Sequence, residues 1–387
     1  MRETAIASHS RLARNISADV RYAAALIAGS AALVALGAMG AASQEASLNG
    51  RALYDSACAS CHGADGRGRS QAQVGFDTPI PDFSDCEFAS REPDADWATV
   101  IHQGGPIRVF NRMMPAFGEA LSLEEIEAIL GHVRTFCTNT AWPRGEFNLP
   151  KAMFTEKAFP EDEYVWRNVV DAEGRLGITS QLTYEKRFGP RGQLEIAVPL
   201  SLAQPGAGRG TQIGLGDVGV GWKQTLFADL ELGSIFSLGG EVVLPTGDED
   251  KGFGRGAVVL EPYAAFGQIL PNDSFFQTQL LVEVPLEEGL DDELGLRMAV
   301  GRTWAVDNGF GRAWTPILEV LGARELAGGA ATEWDVVPQI QVSLSKRQHV
   351  LFSAGIRIPV TDASTRDTQF AFYILWDWFD GGFTEGW

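Results

Sequence analysis

The sequence predicts a small all-α domain followed by an antiparallel β-barrel of about twelve strands, with a soluble β-sandwich as the alternative for the second part. Two observations carry this prediction. Apolar residues recur at helical spacing in the region up to residue 138, and from residue 163 onward they alternate with polar residues. The expected divisions are a signal peptide over 1–43, a helical domain over 44–138, a linker over 139–162 and the barrel over 163–387.

The overall composition narrows the class of protein before any motif is considered. The chain has 387 residues, with 31 Lys and Arg against 50 Asp and Glu, which gives a formal charge of −19. Because such an acidic chain repels phosphate backbones, we expect no nucleic-acid partner. A hydrophobic content of 45% and a charged content of 21% argue against a bundle of membrane-spanning helices.

The first 43 residues have the pattern of an export signal. Four arginines precede an apolar run over 23–39, and small residues follow at 40–43. Cleavage after Ala42 or Ser43 would place small side chains where signal peptidase reads them. An uncleaved membrane anchor is the alternative, since the run is nearly long enough to span a bilayer. The sequence therefore predicts an exported protein.

The segment Cys58-Ala59-Ser60-Cys61-His62 is the strongest chemical signal in the chain. Two thiols three positions apart can add to the two vinyl groups of a haem, and the histidine that follows is then placed to bind the iron. A zinc half-site or a redox dithiol would need a second ligand pair or a βαβ context, and neither pattern is present. The motif predicts one covalently attached haem c, held by Cys58, Cys61 and His62.

Helical patterns bracket this motif. A short amphipathic helix is expected to end near Cys58, and a capping box at Ser122–Glu125 begins a second helix with an apolar stripe. Between them, Met113 and Met114 precede Pro115 and offer a thioether, a soft axial ligand that haem iron accepts opposite histidine.

Residues 46–138 resemble the class I c-type cytochromes, on the strength of the Cys58–His62 motif, the Met-Pro segment and the final helix. In that family the Met of the Met-Pro segment is the sixth iron ligand, which implies Met114 here, with Met113 as the competing assignment. His102 is a weaker alternative ligand, and His132 is expected to be a surface or packing residue.

Two further cysteines, Cys86 and Cys137, lie in the same helical region. In an oxidising compartment they are expected to form a disulfide between the middle loop and the last helix. Two free buried thiols are the alternative.

The second part of the sequence alternates apolar and polar residues. Candidate strands begin near residues 163, 178, 192, 212, 231, 256, 274, 293, 312, 332, 348 and 368. Most are about as long as a tilted bilayer-spanning strand, longer than the usual globular strand. Short connections alternate with longer ones at 201–211, 246–255 and 323–331, and the last strand is aromatic. These features favour an outer-membrane barrel over a sandwich.

Part of this region carries its own resemblance. The segments 214–223 and 244–252, with Gly-Leu-Gly-Asp-Val-Gly and Leu-Pro-Thr-Gly-Asp, are similar to the transporter-like outer-membrane proteins associated with phenol meta-cleavage pathways. The resemblance covers about residues 210–270 and implies a barrel.

Three hypotheses for function follow. The first is a single-haem electron carrier, anchored by the barrel to outer-membrane lipid and exchanging electrons with redox partner proteins in the periplasm. The second is an outer-membrane transport channel in which the haem domain is a plug or regulator. A peroxidase-like enzyme ranks lowest, because both axial positions of the iron have a candidate ligand.

Overall fold

A computed structural model describes residues 49–75, 79–172, 177–203 and 210–387. The predicted signal peptide over 1–43 lies outside the described residues. Among the residues that are described, no helix is both long and apolar enough to cross a membrane.

The N-terminal part is a small helical domain. Its helices are α1 (Gly50–Ala57), α2 (Ala59–His62), α3 (Gln71–Val74), α4 (Cys86–Ala89), α5 (Asp94–Gln103) and α6 (Leu123–Val133). The predicted capping box begins α6, since the Ser122 hydroxyl accepts from the backbone N–H of Glu125 and the Glu125 carboxylate accepts from that of Ser122. The predicted stripe of α6 is buried against α1, where Tyr54 packs on Ile129 and Val133.

The C-terminal part is an antiparallel sheet closed on itself. Its strands are β1 (Glu163–Asp171), β2 (Gly177–Phe188), β3 (Gly192–Ala203), β4 (Gln212–Leu215), β5 (Val218–Asp229), β6 (Ser234–Leu244), β7 (Val259–Leu270), β8 (Ser274–Pro285), β9 (Glu293–Arg302), β10 (Trp304–Ala305), β11 (Ala313–Glu325), β12 (Glu333–Ser343), β13 (Val350–Pro359) and β14 (Gln369–Asp377). Within the described residues, twelve long strands form the barrel wall, which closes where β1 pairs with β14. This confirms the predicted fold class.

The two ends of the barrel differ in their connections. At one end most strands join through brief turns, such as 189–191, 230–233 and 271–273, although the connection that contains β10 is longer, and we call this the short-turn end. At the other end the connections are longer, as at 245–258. The pairing of Glu163 with Asp377 places both termini of the barrel at the short-turn end.

The wall of the barrel reverses the usual distribution of side chains. Polar side chains point into the lumen and are buried there, among them Glu185, Gln193, Lys223, Ser237, Gln277, Glu319 and Ser353. Large apolar side chains point outward and are exposed, among them Trp166, Leu182, Leu200, Trp222, Leu238, Val300, Leu318, Ile340 and Phe370. An apolar exterior around a polar interior is the arrangement of membrane barrels.

Residues 147–162, most of the segment predicted as a linker, lie inside this barrel, and we call them the lumen segment. Phe147 and Phe159 pack against Ile235 and Ala265 of the wall. Leu149 contacts Phe275 in a second apolar cluster. The segment has no strand or α-helix, so its backbone groups need partners from the wall.

Candidate functional site

The haem motif lies at the junction of α1 and α2. The backbone N–H of Cys58 donates to the Tyr54 carbonyl at 2.8 Å, and that of His62 donates to the Cys58 carbonyl at 2.9 Å. The buried Tyr54 hydroxyl donates to the Gly63 carbonyl at 2.8 Å, which fixes the end of α2. The two short helices therefore present both thiols and the imidazole together. Cys58 and Cys61 are free and half-buried.

The electrostatics of the motif suit a neutral metal ligand. Burial lowers the pKa of His62 to about 4, so its imidazole is neutral near pH 7. Burial, followed by the nearby Cys61, raises the pKa of the Cys58 thiol to about 11. The His62 ring stacks on Phe83 at 4.8 Å, and its buried Nδ1 has no hydrogen-bond partner among the described residues. Two free thiols beside a neutral imidazole with an unsatisfied nitrogen fit haem c.

The candidate sixth ligands differ in exposure and contacts. The Met113 side chain is 48% exposed, whereas Met114 is half-buried. His102 stacks on Phe310 of the barrel at 4.4 Å, and His132 packs edge-on against Tyr54 at 5.3 Å. Both histidines therefore have structural contacts of their own.

Cys86 and Cys137 form a disulfide in the structure, with their Cα atoms 5.1 Å apart. The bond joins α4 to the chain that follows α6, and it closes a loop of 51 residues. It thereby ties the middle of the helical domain to its C-terminal end.

The helical domain contacts the short-turn end of the barrel. Arg91, at the end of α4, forms a buried ion pair with Asp162, and its guanidinium lies 4.0 Å from the ring centroid of Phe379. Arg191 donates from Nε to the Ala141 carbonyl at 2.8 Å. These contacts join the two parts through charged hydrogen bonds as well as through the chain.

The lumen segment is held by side chains of the barrel wall. The backbone N–H groups of Phe154 and Thr155 donate to the Glu319 carboxylate at 3.0 Å and 2.5 Å. The buried Lys223 ammonium donates to Glu156 Oε1 at 2.7 Å and to the Lys157 carbonyl at 2.9 Å. The wall thus satisfies a backbone that forms no regular structure of its own.

Beyond the lumen segment the barrel keeps a polar cavity of about 310 Å³. Its lining is mostly charged or polar, and it includes Glu156, Arg167, Glu185, Glu195, Glu241, Tyr263 and Arg297. The lumen therefore holds a charged recess between the lumen segment and the wall.

Sequence reasoning missed several residues that shape the site. Phe83 stacks on His62 and Asp162 pairs with Arg91, although each is distant in sequence from its partner. Neither contact leaves a periodic signal. The apolar residues Phe147, Leu149 and Phe159 in an otherwise linker-like stretch were the one available hint of burial.

Comparison with known proteins gives two separate findings. Residues 45–133 match the family described as Cytochrome C oxidase, cbb3-type, subunit III. No curated protein matches the chain.

Three solved structures of low sequence identity resemble the barrel part of the chain. The KdgM porin in complex with disordered oligogalacturonate is 10% identical, with 55% of this chain and 98% of that chain covered and a TM-score of 0.37. LpxR from Salmonella typhimurium is 11% identical, with 55% of this chain and 99% of that chain covered and a TM-score of 0.38. The COG4313 outer membrane channel from Pseudomonas putida F1 is 10% identical, with 59% of this chain and 99% of that chain covered and a TM-score of 0.39.

The fold and the site together define a class of protein. The chain combines a cytochrome c-type domain with a twelve-stranded β-barrel of the outer-membrane type, and the family match implies haem c as the cofactor. The particular barrel family expected from residues 210–270 stays a prediction.

Proposed function

We propose that this protein is a single-haem electron carrier fixed at the outer membrane by its barrel. The observation that carries the proposal is the Cys58–His62 motif, with both thiols free and a neutral histidine beside them. Haem bound there supplies one-electron cycling between Fe(II) and Fe(III). Cys58 and Cys61 would hold it through thioether bonds, and His62 and Met114 would bind its iron.

The surrounding residues fix the ligands and keep water away from them. The Tyr54 hydroxyl holds the Gly63 carbonyl, which sets the direction in which His62 leaves α2. Apolar side chains border the motif, including Phe83 and Ile101. With two protein ligands the iron would have no open position for a substrate, and this supports electron transfer over catalysis.

The barrel supports a location in the outer membrane. Its strands are long enough to cross a bilayer when tilted, and their outward side chains are apolar. Short turns mark the periplasmic side of such barrels, so the helical domain at the short-turn end would lie in the periplasm. The formal charge of −19 would favour redox partner proteins with basic docking faces.

Cell fractionation with haem staining tests this proposal directly. We expect one outer-membrane band that keeps its haem stain after boiling in denaturant and that changes gel mobility between unheated and heated samples. A stain that disappears on boiling would contradict covalent attachment. An unchanged mobility, or a stained band in the soluble fraction, would contradict the membrane anchor.

The alternative function is an outer-membrane transport channel. The charged cavity of about 310 Å³ favours this role, whereas the lumen segment, which lines part of that cavity and is largely buried, supports a closed barrel. Conductance of the full chain in planar bilayers separates the two, since steady ion current through the purified protein would support the channel.

A further inference from the structure

The loop that carries Met114 is closed on itself at its base. We call residues 104–118 the methionine loop. The backbone N–H of Gly105 donates to the Met114 carbonyl at 3.0 Å. Gly104 has φ +80°, and a Cβ at this position would lie only 3.1 Å from the Met114 carbonyl oxygen. Because Gly104 and Gly105 contact the backbone of Met114 directly, a shift of the N-terminal end of the loop shifts Met114.

One side of the methionine loop rests on the turn between β9 and β11. The side chain of Arg108 is buried and donates from Nη1 to the Phe310 carbonyl at 3.0 Å. The Phe310 ring stacks on His102 at 4.4 Å. The carbonyl of His102 in turn accepts from the backbone N–H of Gly118 at 2.9 Å, which fixes the C-terminal end of the loop.

A second barrel turn, between β12 and β13, holds the tip of the loop. Arg347 donates from Nε to the Arg108 carbonyl at 3.3 Å and from Nη2 to the Val109 carbonyl at 3.2 Å. Its guanidinium also lies 4.8 Å from the Phe110 ring centroid. The same side chain donates to the Asp380 carbonyl at 2.9 Å, so it joins the loop to the C-terminal tail of the barrel.

The backbone at the tip is in a conformation that needs such support. Val109 has φ +58°, in the left-handed region that β-branched residues rarely adopt. Strain of this kind persists only where surrounding contacts determine the conformation. The hydrogen bond from Arg347 to the Val109 carbonyl is one of those contacts.

We infer that Arg347 and Phe310 are positioning residues for the sixth iron ligand, so that the barrel sets the redox properties of the haem domain as well as its location. The inference rests on the proposed haem ligation by Met114. A thioether ligand raises the reduction potential of a haem with a histidine on its other side. Loosening the loop would weaken that ligand, lower the potential and open the iron to small external ligands.

The test uses the full chain, purified in detergent with its haem, in the variants Arg347→Ala and Phe310→Ala. Each should lose part of the absorption band that arises from methionine bound to ferric iron, and each should show a lower reduction potential. In Arg347→Ala the affinity for added imidazole should rise about tenfold, the scale of losing a hydrogen bond from a charged group. Phe310→Ala keeps the backbone carbonyl that accepts from Arg108 and removes only the ring that stacks on His102, so its affinity should rise by less. Arg347→Lys should restore part of the wild-type behaviour.

Lys346→Ala is the matched control, because it removes the same charge from the same turn at an exposed position. It should leave the potential and the imidazole affinity unchanged. Heat-dependent gel mobility shows whether the barrel of each variant is folded. Because Arg347 and Phe310 lie in different turns, one folded variant is enough to test the inference if the other fails to fold.

Different results would contradict the proposed haem ligation and the positioning role of Arg347 and Phe310. Wild-type protein without boiling-resistant haem, or without the methionine band, overturns the proposed ligation and this inference with it. Wild-type protein with both signals, and folded variants that match it in potential and imidazole affinity, overturns the inference alone.

Discussion

The helical domain and the barrel place their apolar side chains on opposite sides. In the helical domain Ile126, Ile129 and Leu130 are buried, as in an ordinary soluble protein. In the barrel Leu238 and Leu318 face outward, while Lys223 and Glu319 are buried in the lumen. The difference shows that an ordinary average hydrophobicity can conceal an apolar exterior, because the average does not record which side of a strand is apolar.

The largest expected effect concerns covalent haem attachment, which we expect only in the helical domain. Replacing both Cys58 and Cys61 with Ala should abolish the haem stain on a denaturing gel, because no thioether bond can form. Replacing Cys86 and Cys137 with Ala is the matched control, and it should keep the stain while lowering stability by roughly 2–4 kcal/mol. Retained stain in the first variant would show that the haem is attached elsewhere.

A second change tests the buried charges of the lumen. Lys223→Met removes a buried ammonium and leaves Glu156 without its closest partner, at a cost of roughly 3–5 kcal/mol in the free energy of unfolding. Lys251→Met is the control, because its ion pair with Asp248 is exposed to solvent and should contribute far less than a buried pair. Urea titration monitored by heat-dependent gel mobility measures both. Equal losses would mean that the lumen is hydrated like a surface.

A third change sharpens the contrast at exposed leucines. Leu238→Arg puts a charge on the outward face near the middle of β6, and in a bilayer it should destabilise the barrel by about 2–4 kcal/mol. Leu123→Arg makes the same replacement at an exposed leucine of the helical domain, where we expect a loss below about 1 kcal/mol. Unfolding in lipid vesicles compares the two, and similar small losses would indicate that the outer face of the barrel is in water rather than in lipid.

The smallest effect concerns pH at the contact between the two parts. Burial, and then the carboxylates of Asp380 and Asp96, raise the pKa of Glu92 well above its ordinary value near 4.5. A raised folded-state pKa adds stability that is complete below the unfolded-state pKa and is lost as pH rises toward the folded-state pKa. Glu92→Gln should therefore gain on the order of 1 kcal/mol at pH 7 over wild type, and little at pH 4. Unfolding midpoints at both pH values measure this, and a gain at pH 4 alone would contradict the assignment.

The barrel wall was predictable because its signal is local. Alternation at a period of two placed strand starts near 163, 192, 274 and 293, where the structure has them. The candidate near 212 was only partly right. There the chain forms β4 and then restarts as β5, because the Asp217 carboxylate turns away to accept the backbone N–H groups of Gly247 and Arg255. Those partners are remote in sequence, so no local sequence pattern predicts these hydrogen bonds.

The candidate site was predictable where chemistry imposes a fixed spacing. Cys58, Cys61 and His62 have the spacing at which two thiols and a histidine can reach one haem, so the motif can be recognised from sequence alone. The lumen segment has no such spacing and no period, and prolines at 143, 150 and 160 made it look like a linker. What buries it is the set of wall residues that meets it, including Glu319 and Lys223, which come from distant strands.

The position of the lumen segment has a consequence for how the chain assembles. It precedes β1 in the order of synthesis, yet both strands of the closing seam bind it. Arg167 of β1 donates to the Met153 carbonyl at 3.0 Å, and the Tyr373 hydroxyl of β14 donates to the Lys151 carbonyl at 2.6 Å. The lumen segment therefore supplies hydrogen-bond acceptors to inward side chains on both strands of the seam, and pairing β1 with β14 brings those side chains to one stretch of backbone.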